Sequence, residues 1–326
     1  MFFVADILEY ARNVFGLLFI FFIPFIISKI GIVKMTSGII LLYCALLILS
    51  SFYDVNSFVQ ILYMIIFGVV ASFLFIIVNS ISNAMVNSDK RGQLNAVLNA
   101  MFLFTAVFLP KFIKNTYLIS VLCGIASIIS LYAIKNIKNN DIKFNKLSLI
   151  KIIRENYILF MSKIAYEFAF VVLSAFTYSF SNANNWDYQI GGTTLLALYI
   201  TNILSSYFIG RFFDNYNNKN LLLYVSSLST IALISLLPFI TNYILFFMIY
   251  CLIGITLASI YISCASILNS KYDKEYLLSV NSSLLIVKYL VYIFSILFAI
   301  MFKNGTIIFL ITSYLIILSL KFLYRK

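Results

Sequence analysis

Apolar runs follow one another along nearly the whole chain, separated by short polar breaks. A membrane-crossing α-helix needs about 20 predominantly apolar residues, whereas a barrel strand needs only about ten with alternating polarity. Helices also satisfy their own backbone hydrogen bonds in the absence of water. The pattern predicts eleven membrane-spanning helices, at 12–30, 35–52, 57–84, 93–113, 115–134, 156–181, 190–210, 220–240, 243–268, 277–302 and 305–323.

Composition agrees with an all-α polytopic membrane protein. Of the 326 residues, 63% are apolar and 10% are charged, which excludes a soluble globular protein. The chain contains no histidine, and its four cysteines lie within apolar runs without a CxxC pair. We therefore expect no metal and no cofactor.

The longest polar connection, 135–155, is strongly basic and divides the predicted helices into five and six. It predicts an N-terminal bundle at 1–134, a basic cytoplasmic linker at 135–155 and a C-terminal six-helix bundle at 156–326. The net charge of +12 is placed in alternate loops, which is typical of membrane orientation. We expect no nucleic-acid partner.

The distribution of basic residues predicts the orientation, because cytoplasmic loops are enriched in Lys and Arg. The other side of the membrane carries four, at Arg12, Lys111, Lys114 and Lys303. The predicted cytoplasmic side carries seventeen, at Lys29, Lys34, Lys90, Arg91, Lys135, Lys138, Lys143, Lys146, Lys151, Arg154, Arg211, Lys219, Lys271, Lys274, Lys321, Arg325 and Lys326. We expect a multi-pass protein of the cell membrane with a cytoplasmic C-terminus and central loop.

The two predicted halves contain related segments. SDKRGQLNAV (88–97) resembles YDKEYLLSVN (272–281) at an offset of 184, and PFIISKIGIVK (24–34) resembles GRFFDNYNNKN (210–220) at an offset of 186. Nearly the same offset aligns the first five predicted helices with the last five. This predicts two pseudo-symmetric bundles, with eleven spans visible of an expected twelve and the first helix of the N-terminal half missing.

The bend at 210–220 carries a recognisable pattern after the second helix of the C-terminal half. Gly210, Phe212, Asp214 and Lys219 follow the order G-x-L-a-D-r-x-G-r-k, with Asn217 at the second glycine. Asn tolerates the left-handed conformation that a glycine adopts. In the first half Pro24 and Ser28 replace the glycine and the aspartate, whereas Lys29 and Gly31 remain. With the repeat, this pattern resembles the major facilitator superfamily.

The resemblance implies a secondary transporter that moves a small molecule by alternating access, with proton coupling. The expected partners are the small-molecule substrate, protons and membrane lipid, and we expect a monomer that is not an enzyme. The resemblance also implies that the bend is a cytoplasmic gate, whose candidate residues are Gly210, Arg211, Asp214, Lys219, Lys29 and Gly31. The alternative is an ordinary solvated loop with a positive-inside charge pattern.

Charges within the predicted helices mark a second candidate site, because an ionisable group near the bilayer centre is costly. Glu167 and Lys288 lie at equal depth in their helices, which predicts an ion pair, and Lys163 lies one turn from Glu167 and competes for it. Two lysines against one glutamate favour an anionic or zwitterionic solute. The candidate substrate and ion-coupling residues are Glu167, Lys288, Lys163, Asn281, Tyr292, Asn202 and Ser174. The alternative is that the charges pair only to permit insertion.

Two other functions are alternatives to transport. A membrane-embedded enzyme needs clustered acids, histidines or a nucleophile with its base, and the predicted helices offer one deep acid. A truncated or non-transporting paralogue is a further alternative because the first helix is missing. The predicted helix at 57–84 also lacks the arginine of proton-coupled drug antiporters, and the predicted helix at 93–113 lacks their G-x-x-x-G-P-x-x-G-G run.

Overall fold

The computed structural model describes residues 12–50, 57–107, 147–216 and 218–301, together with positions 125 and 128. Its secondary structure is helical, and the described residues contain no strand. The helices are α1 (12–20), α2 (Ile23–Ile30), α3 (Ile32–Ser50), α4 (Ser57–Met85), α5 (Arg91–Val107), α6 (Leu149–Glu155), α7 (Tyr157–Ala183), α8 (Tyr188–Asn215), α9 (Lys219–Leu236), α10 (Tyr243–Lys271) and α11 (Leu277–Met301). Short 3-10 helices occupy Ser88–Lys90, Leu237–Phe239 and Lys274–Tyr276.

The predicted all-α membrane architecture is confirmed. Six helical segments within the described residues are long and apolar enough to cross a membrane, at Leu62–Met85, Tyr157–Ala183, Gln189–Asn215, Lys219–Phe239, Tyr243–Lys271 and Lys274–Phe294. The predicted spans at 115–134 and 305–323 fall outside the described residues, apart from the helical positions 125 and 128.

Polar residues start several of these helices by capping their free backbone N–H groups. The Asp187 carboxylate accepts a hydrogen bond of 3.0 Å from the N–H of Gln189 at the start of α8. Asn218 accepts one of 3.1 Å from Leu221 at the start of α9. Such caps satisfy donors that have no partner within the helix.

The predicted first span is interrupted. A turn at 21–22 separates α1 from α2, and Pro24 lies in the first turn of α2. Proline cannot donate a hydrogen bond inside a helix but is tolerated in the first turn. Gly31 ends α2 with a φ of 87°, a backbone conformation that favours glycine. Its N–H donates to the carbonyl of Ile27, which explains why this bend retains a glycine.

The bend at 210–220 is shorter than its polar sequence indicates. Helix α8 continues to Asn215, so Gly210, Arg211 and Asp214 lie in its last turns. Helix α9 begins at Lys219, and the proposed left-handed position, Asn217, falls outside the described residues. The end of the predicted linker is also helical, because α6 covers Leu149–Glu155 with Ile152 fully buried.

The contacts group the chain into two compact units. Among the described residues, the first unit comprises α1 to α4, α6 and α11 as far as Ile293, and its core includes Ile20, Ile23, Ile76 and Leu285. The second comprises α5 and α7 to α10. Each unit takes helices from both predicted bundles, and the division at 135–155 stays a prediction.

The internal repeat is visible in the starts of α5 and α11. Asn87 and Asp273 are both extended, with φ and ψ of −64° and 153° and of −62° and 156° respectively. Each is followed by one three-residue 3-10 helix and then by a long helix. Asn87 and Asp273 are 186 residues apart, so 186 is the offset of the structural repeat. The sequence comparison matched Asp89 with Asp273 at an offset of 184, which is two residues out of register with the structure.

Two side-chain pairs repeat at the same interval, one in each unit. In the first unit Asn281 Nδ2 donates to Ser80 Oγ at 3.2 Å. In the second unit Asn95 Nδ2 donates to Ser266 Oγ at 3.2 Å. Both serines also donate to the first residue of the neighbouring helix, to the Leu277 and Arg91 carbonyls respectively, at 3.3 Å each. The repeat therefore preserves buried polar chemistry as well as helix order.

Close helix packing repeats as well. A Cβ on Gly68 would lie 2.6 Å from the carbonyl oxygen of Arg12, and one on Gly254 would lie 2.5 Å from that of Leu198. The corresponding residues of the two pairs are 186 positions apart, and neither glycine has room for a side chain. The two units thus use the same glycine-mediated helix contact.

Candidate functional site

The buried acid of α7 is paired with a lysine on its own helix. Lys163 Nζ lies 2.5 Å from Glu167 Oε1, and the two side chains are 6% and 5% exposed. Residues four apart lie on the same face of a helix. Of the two predicted partners, Lys163 is therefore the one in contact. Lys288 belongs to the other compact unit, and its pairing with Glu167 stays a prediction.

Two tyrosine rings complete the surroundings of the Lys163 ammonium group. The ring centroid of Tyr261, on α10, is 4.2 Å from Nζ, and that of Tyr166, on α7, is 4.6 Å away. The two rings are 5.4 Å apart. An ammonium group within about 6 Å of an aromatic face is attracted by the ring quadrupole. The pocket of Glu167, Tyr166 and Tyr261 that encloses this group is called the ammonium pocket below.

Ser174 extends the same helix face away from the ammonium pocket. Its hydroxyl donates to the carbonyl of Phe170 at 2.8 Å and shares a hydrogen bond with Tyr199 of α8. The ring of Tyr199 stacks on Phe170 at 5.7 Å, and Phe170 meets Tyr166 edge-on at 5.0 Å. A continuous aromatic cluster therefore connects Ser174 to the ammonium pocket.

Asn202 belongs to a second polar cluster, between α5 and α8. Asn99 Nδ2 donates to Asn202 Oδ1 at 2.9 Å and to Ser206 Oγ at 3.1 Å. Asn202 is fully buried, and its Nδ2 has no hydrogen-bond partner among the described residues. A buried amide with an unused donor costs free energy. The Asn202 side chain is therefore a buried polar group whose Nδ2 lacks an acceptor among the described residues.

The candidate residues on α11 lie in the first unit. Lys288 Nζ is 5.9 Å from the ring centroids of both Phe75 and Tyr292. Asn281 is buried and bonds to Ser80 and to the Leu277 carbonyl. One turn of helix therefore brings Lys288 to Tyr292, as predicted from their spacing, whereas Asn281 holds α11 against α4.

The acid of the candidate gate binds the start of another helix. Asp214 Oδ1 accepts a hydrogen bond of 2.7 Å from the N–H of Gly92, and its Oδ2 accepts one of 2.8 Å from Gln93. These N–H groups belong to the first turn of α5, where the helix dipole also favours an anion. The direct partners of Asp214 are thus backbone groups, whereas the expected base Lys219 acts on it from farther away.

Glycines permit this contact. A Cβ on Gly92 would lie 2.7 Å from the Gly210 carbonyl oxygen, and one on Gly210 would lie 2.6 Å from the Gly92 carbonyl oxygen and from Ala96 Cβ. Helices α5 and α8 therefore cross with their backbones nearly touching. Gly210 is required by packing, which gives its place in the signature a physical reason.

The basic gate candidates are one half-buried lysine, Lys219, and two exposed residues, Arg211 and Lys29. Lys219 Nζ lies 5.0 Å from the Phe213 ring centroid and attracts Asp214 at longer range. Arg211 is exposed. In the first unit, Lys29 is exposed, with its Nζ 4.4 Å from the Phe25 ring centroid.

Sequence reasoning missed the partners supplied by α5 and α10. Arg91, Asn95 and Asn99 recur every fourth residue and are all buried, so α5 presents one polar stripe. That spacing was a usable signal. Gly92 and Tyr261 carried no comparable signal, because their importance depends on which helices pack together.

Comparisons with known proteins place the chain in context. A family model described as Major Facilitator Superfamily matches residues 11–296, whereas no curated protein matches by sequence search. A crystal structure of a bacterial homologue of the iron transporter ferroportin, in an outward-facing state with soaked iron, is similar at a TM-score of 0.79 and 11% identity, covering 100% of this chain and 90% of that one. The human organic anion transporter MFSD10 (TETRAN) is similar at a TM-score of 0.78 and 12% identity, covering 98% and 83%.

Proposed function

The chain belongs to the major facilitator superfamily, and we propose that it is a secondary active transporter that moves a small solute by alternating access, coupled to protons. Family membership supports membrane transport of a small molecule rather than enzymatic catalysis. With its membrane-length helices, the chain is a multi-pass membrane protein. The solute, the coupling and the access mechanism belong to the proposal.

The buried pair of Lys163 and Glu167 carries the coupling proposal. Glu167 is the eleventh residue of the 27-residue helix α7, about 15 Å from its start at 1.5 Å per residue. The hydrocarbon core is about 30 Å thick, so this depth corresponds to the middle of the membrane. The Glu167 side chain is only 5% exposed. Burying an ionisable group at this depth costs free energy, and this cost makes Glu167 a functional candidate.

Protonation of Glu167 is the proposed coupling step. A neutral carboxyl group attracts the Lys163 ammonium far less than a carboxylate does, so proton binding frees the lysine. Lys163 and Tyr261 interact directly with Glu167. The other titratable side chains on the elements packed nearby are Tyr166 on α7, Tyr199 on α8, Tyr224 on α9 and Cys264 on α10. Among these groups Glu167 is the one carboxylate, which favours it as the proton site.

The proposed gate is Asp214 with the start of α5. Asp214 lies in the predicted C-terminal bundle and Gly92 in the predicted N-terminal bundle, so their hydrogen bond joins helix ends from the two predicted bundles. Rocking of those bundles would break the bond and expose two N–H groups. Gly210 provides the close approach, and Arg211 and Lys219 are proposed to support the gate within the second unit, whereas Lys29 and Gly31 stay gate candidates of the first unit.

The oligomeric state, the membrane and the orientation of the protein are also proposed. We place it as a monomer among the lipids of the cell membrane, with the C-terminus and the 135–155 segment in the cytoplasm. Ser174 and Asn202 of the second unit are proposed to contact the solute, whereas Lys288, Tyr292 and Asn281 stay candidate residues of the first unit.

Reconstitution into proteoliposomes tests the transport proposal. Labelled amines, organic anions, sugars and amino acids are offered with a pH gradient imposed in either direction. We expect one class to accumulate above its external concentration in wild-type vesicles and not in protein-free vesicles. Glu167→Gln should abolish the gradient-driven accumulation, whereas Glu155→Gln, the same change at an exposed residue of α6, should preserve it. Accumulation that survives Glu167→Gln rejects Glu167 as the coupling site.

A further inference from the structure

We propose that the ammonium pocket binds the charged group of a small primary amine, and that the Lys163 side chain occupies this pocket when no ligand is bound. This inference rests on the proposed transport function and names its substrate class. It follows from the contacts of Lys163 Nζ, which include one carboxylate oxygen at 2.5 Å and two tyrosine ring centroids at 4.2 and 4.6 Å.

The chemistry of the ammonium pocket selects an ammonium group over other ligands. A carboxylate supplies a charge-assisted hydrogen bond, and aromatic faces supply cation–π attraction, the combination by which proteins recognise amines. A divalent metal would require more anionic ligands than this, and no group of three His, Cys, Asp or Glu side chains among the described residues could hold one. The expectation of an anionic solute also weakens, because Glu167 neutralises Lys163.

Lysine is suited to act as an exchangeable occupant. Its ammonium group is carried on a flexible four-carbon chain, so it can leave the pocket without movement of the α7 backbone. Glu167 and Tyr166 stay on the same helix, and Tyr261 stays on α10. Since one carboxylate holds one cation at this position, Lys163, a ligand amine and a proton exclude one another, which makes amine movement and proton movement an exchange.

Chemical complementation of Lys163→Ala tests the pocket directly. This change removes three carbons and the ammonium group, which together correspond to n-propylammonium. Ligand binding is measured by thermal shift and by isothermal titration of the purified full-length protein in detergent. We expect n-propylammonium to stabilise Lys163→Ala in a saturable manner, whereas n-propanol and propionate do not.

Matched variants assign the binding to the pocket. Lys163→Ala combined with Glu167→Gln removes both charges and should bind n-propylammonium at least about tenfold more weakly, because a hydrogen bond to a charged partner is lost. Adding Tyr261→Leu to Lys163→Ala should weaken binding several-fold, whereas Tyr261→Phe, which keeps the ring, should not. Equal binding by all of these variants overturns the proposal.

The amine proposal can also be tested if Lys163→Ala does not fold by itself. In that case the proposal expects n-propylammonium present during purification to recover the folded protein, and n-propanol to leave it unfolded. If n-propylammonium neither binds the folded variant nor recovers the unfolded one, the pocket does not accept amines.

Measurements of amine binding and solute accumulation with the wild-type protein distinguish the amine proposal from the transport proposal. We expect n-propylammonium to stabilise the wild type more weakly than Lys163→Ala, because Lys163 must first be displaced, and not to stabilise Glu167→Gln. Gradient-driven accumulation of another solute class, with no amine binding to Lys163→Ala, would retain the transporter and reject the amine. Amine binding that requires Glu167, without accumulation of any solute, would retain the ammonium pocket and reject coupled transport.

Discussion

Asp214 accepts a hydrogen bond of 2.7 Å from the backbone N–H of Gly92, at a point where a Cβ on Gly92 would lie 2.5 Å from the same carboxylate oxygen. The acid and the glycine are therefore a matched pair, because the carboxylate reaches the start of α5 only where no side chain intervenes. Asp214 also binds Gln93, so one carboxylate caps two backbone donors.

Loss of this carboxylate should expose the start of α5. Asp214→Ala removes the acceptor for two backbone N–H groups, and the amides in the peptide covering 91–95 should exchange hydrogen faster by mass spectrometry. Asn218→Ala removes the cap of α9 instead and should accelerate exchange near Leu221 only. Unchanged exchange at 91–95 in Asp214→Ala would show that the carboxylate does not hold this helix end.

The glycine crossing should tolerate no side chain. Gly210→Ala would bring Cβ within 2.6 Å of the Gly92 carbonyl oxygen, and overpacking of this kind costs about 1–3 kcal/mol. Gly38→Ala is the matched control, because nothing lies within 4 Å of its Cβ and alanine favours a helix by about 1 kcal/mol over glycine. Thermal unfolding in detergent should show a lower midpoint for Gly210→Ala and an equal or higher one for Gly38→Ala.

The buried ion pair should show strong thermodynamic coupling. Lys163→Met or Glu167→Gln alone leaves one buried charge without its partner, which costs about 3–5 kcal/mol, whereas removing both charges is often nearly neutral. In a double-mutant cycle, the double variant should therefore lose far less unfolding free energy than the sum of the two single losses. Additive losses would mean that the 2.5 Å contact does not stabilise the fold.

The repeated serine–asparagine pairs should contribute equally. Asn95→Ala and Asn281→Ala each remove a 3.2 Å hydrogen bond to a buried serine, and each should lower the unfolding free energy by about 1–3 kcal/mol. Their environments are related by the 186-residue repeat, so the two losses should agree within about 0.5 kcal/mol, the usual accuracy of additivity. Clearly unequal losses would indicate that the repeat preserves geometry without preserving energetics.

Helix positions were predictable from sequence because the apolar runs alone determine them. Prediction and structure agree for α7, at 156–181 against Tyr157–Ala183, and for α10, at 243–268 against Tyr243–Lys271. The break at 21–22 was missed because its residues are apolar on both sides, and only Pro24 indicates it. The register of the repeat was also misjudged at Asp89, because a chance Asp-Lys match outweighed the backbone pattern.

Partners between helices were harder to predict. Glu167 was identified as a deep acid, but the choice between Lys163 and Lys288 depends on side-chain direction and helix packing, which one sequence does not specify. Asp214 was identified through the signature, yet its partners are backbone N–H groups of α5, which look the same in every sequence. Tyr261 became visible only when α10 was packed against α7.

The most direct test of the central claim is the accumulation of solute by proteoliposomes under an imposed pH gradient, compared between wild type, Glu167→Gln and Glu155→Gln. The account predicts gradient-driven accumulation in wild type and Glu155→Gln, and none in Glu167→Gln, because Glu167 is buried and Glu155 is exposed. Accumulation in Glu167→Gln that equals the wild type, with the same dependence on the pH gradient, would contradict it.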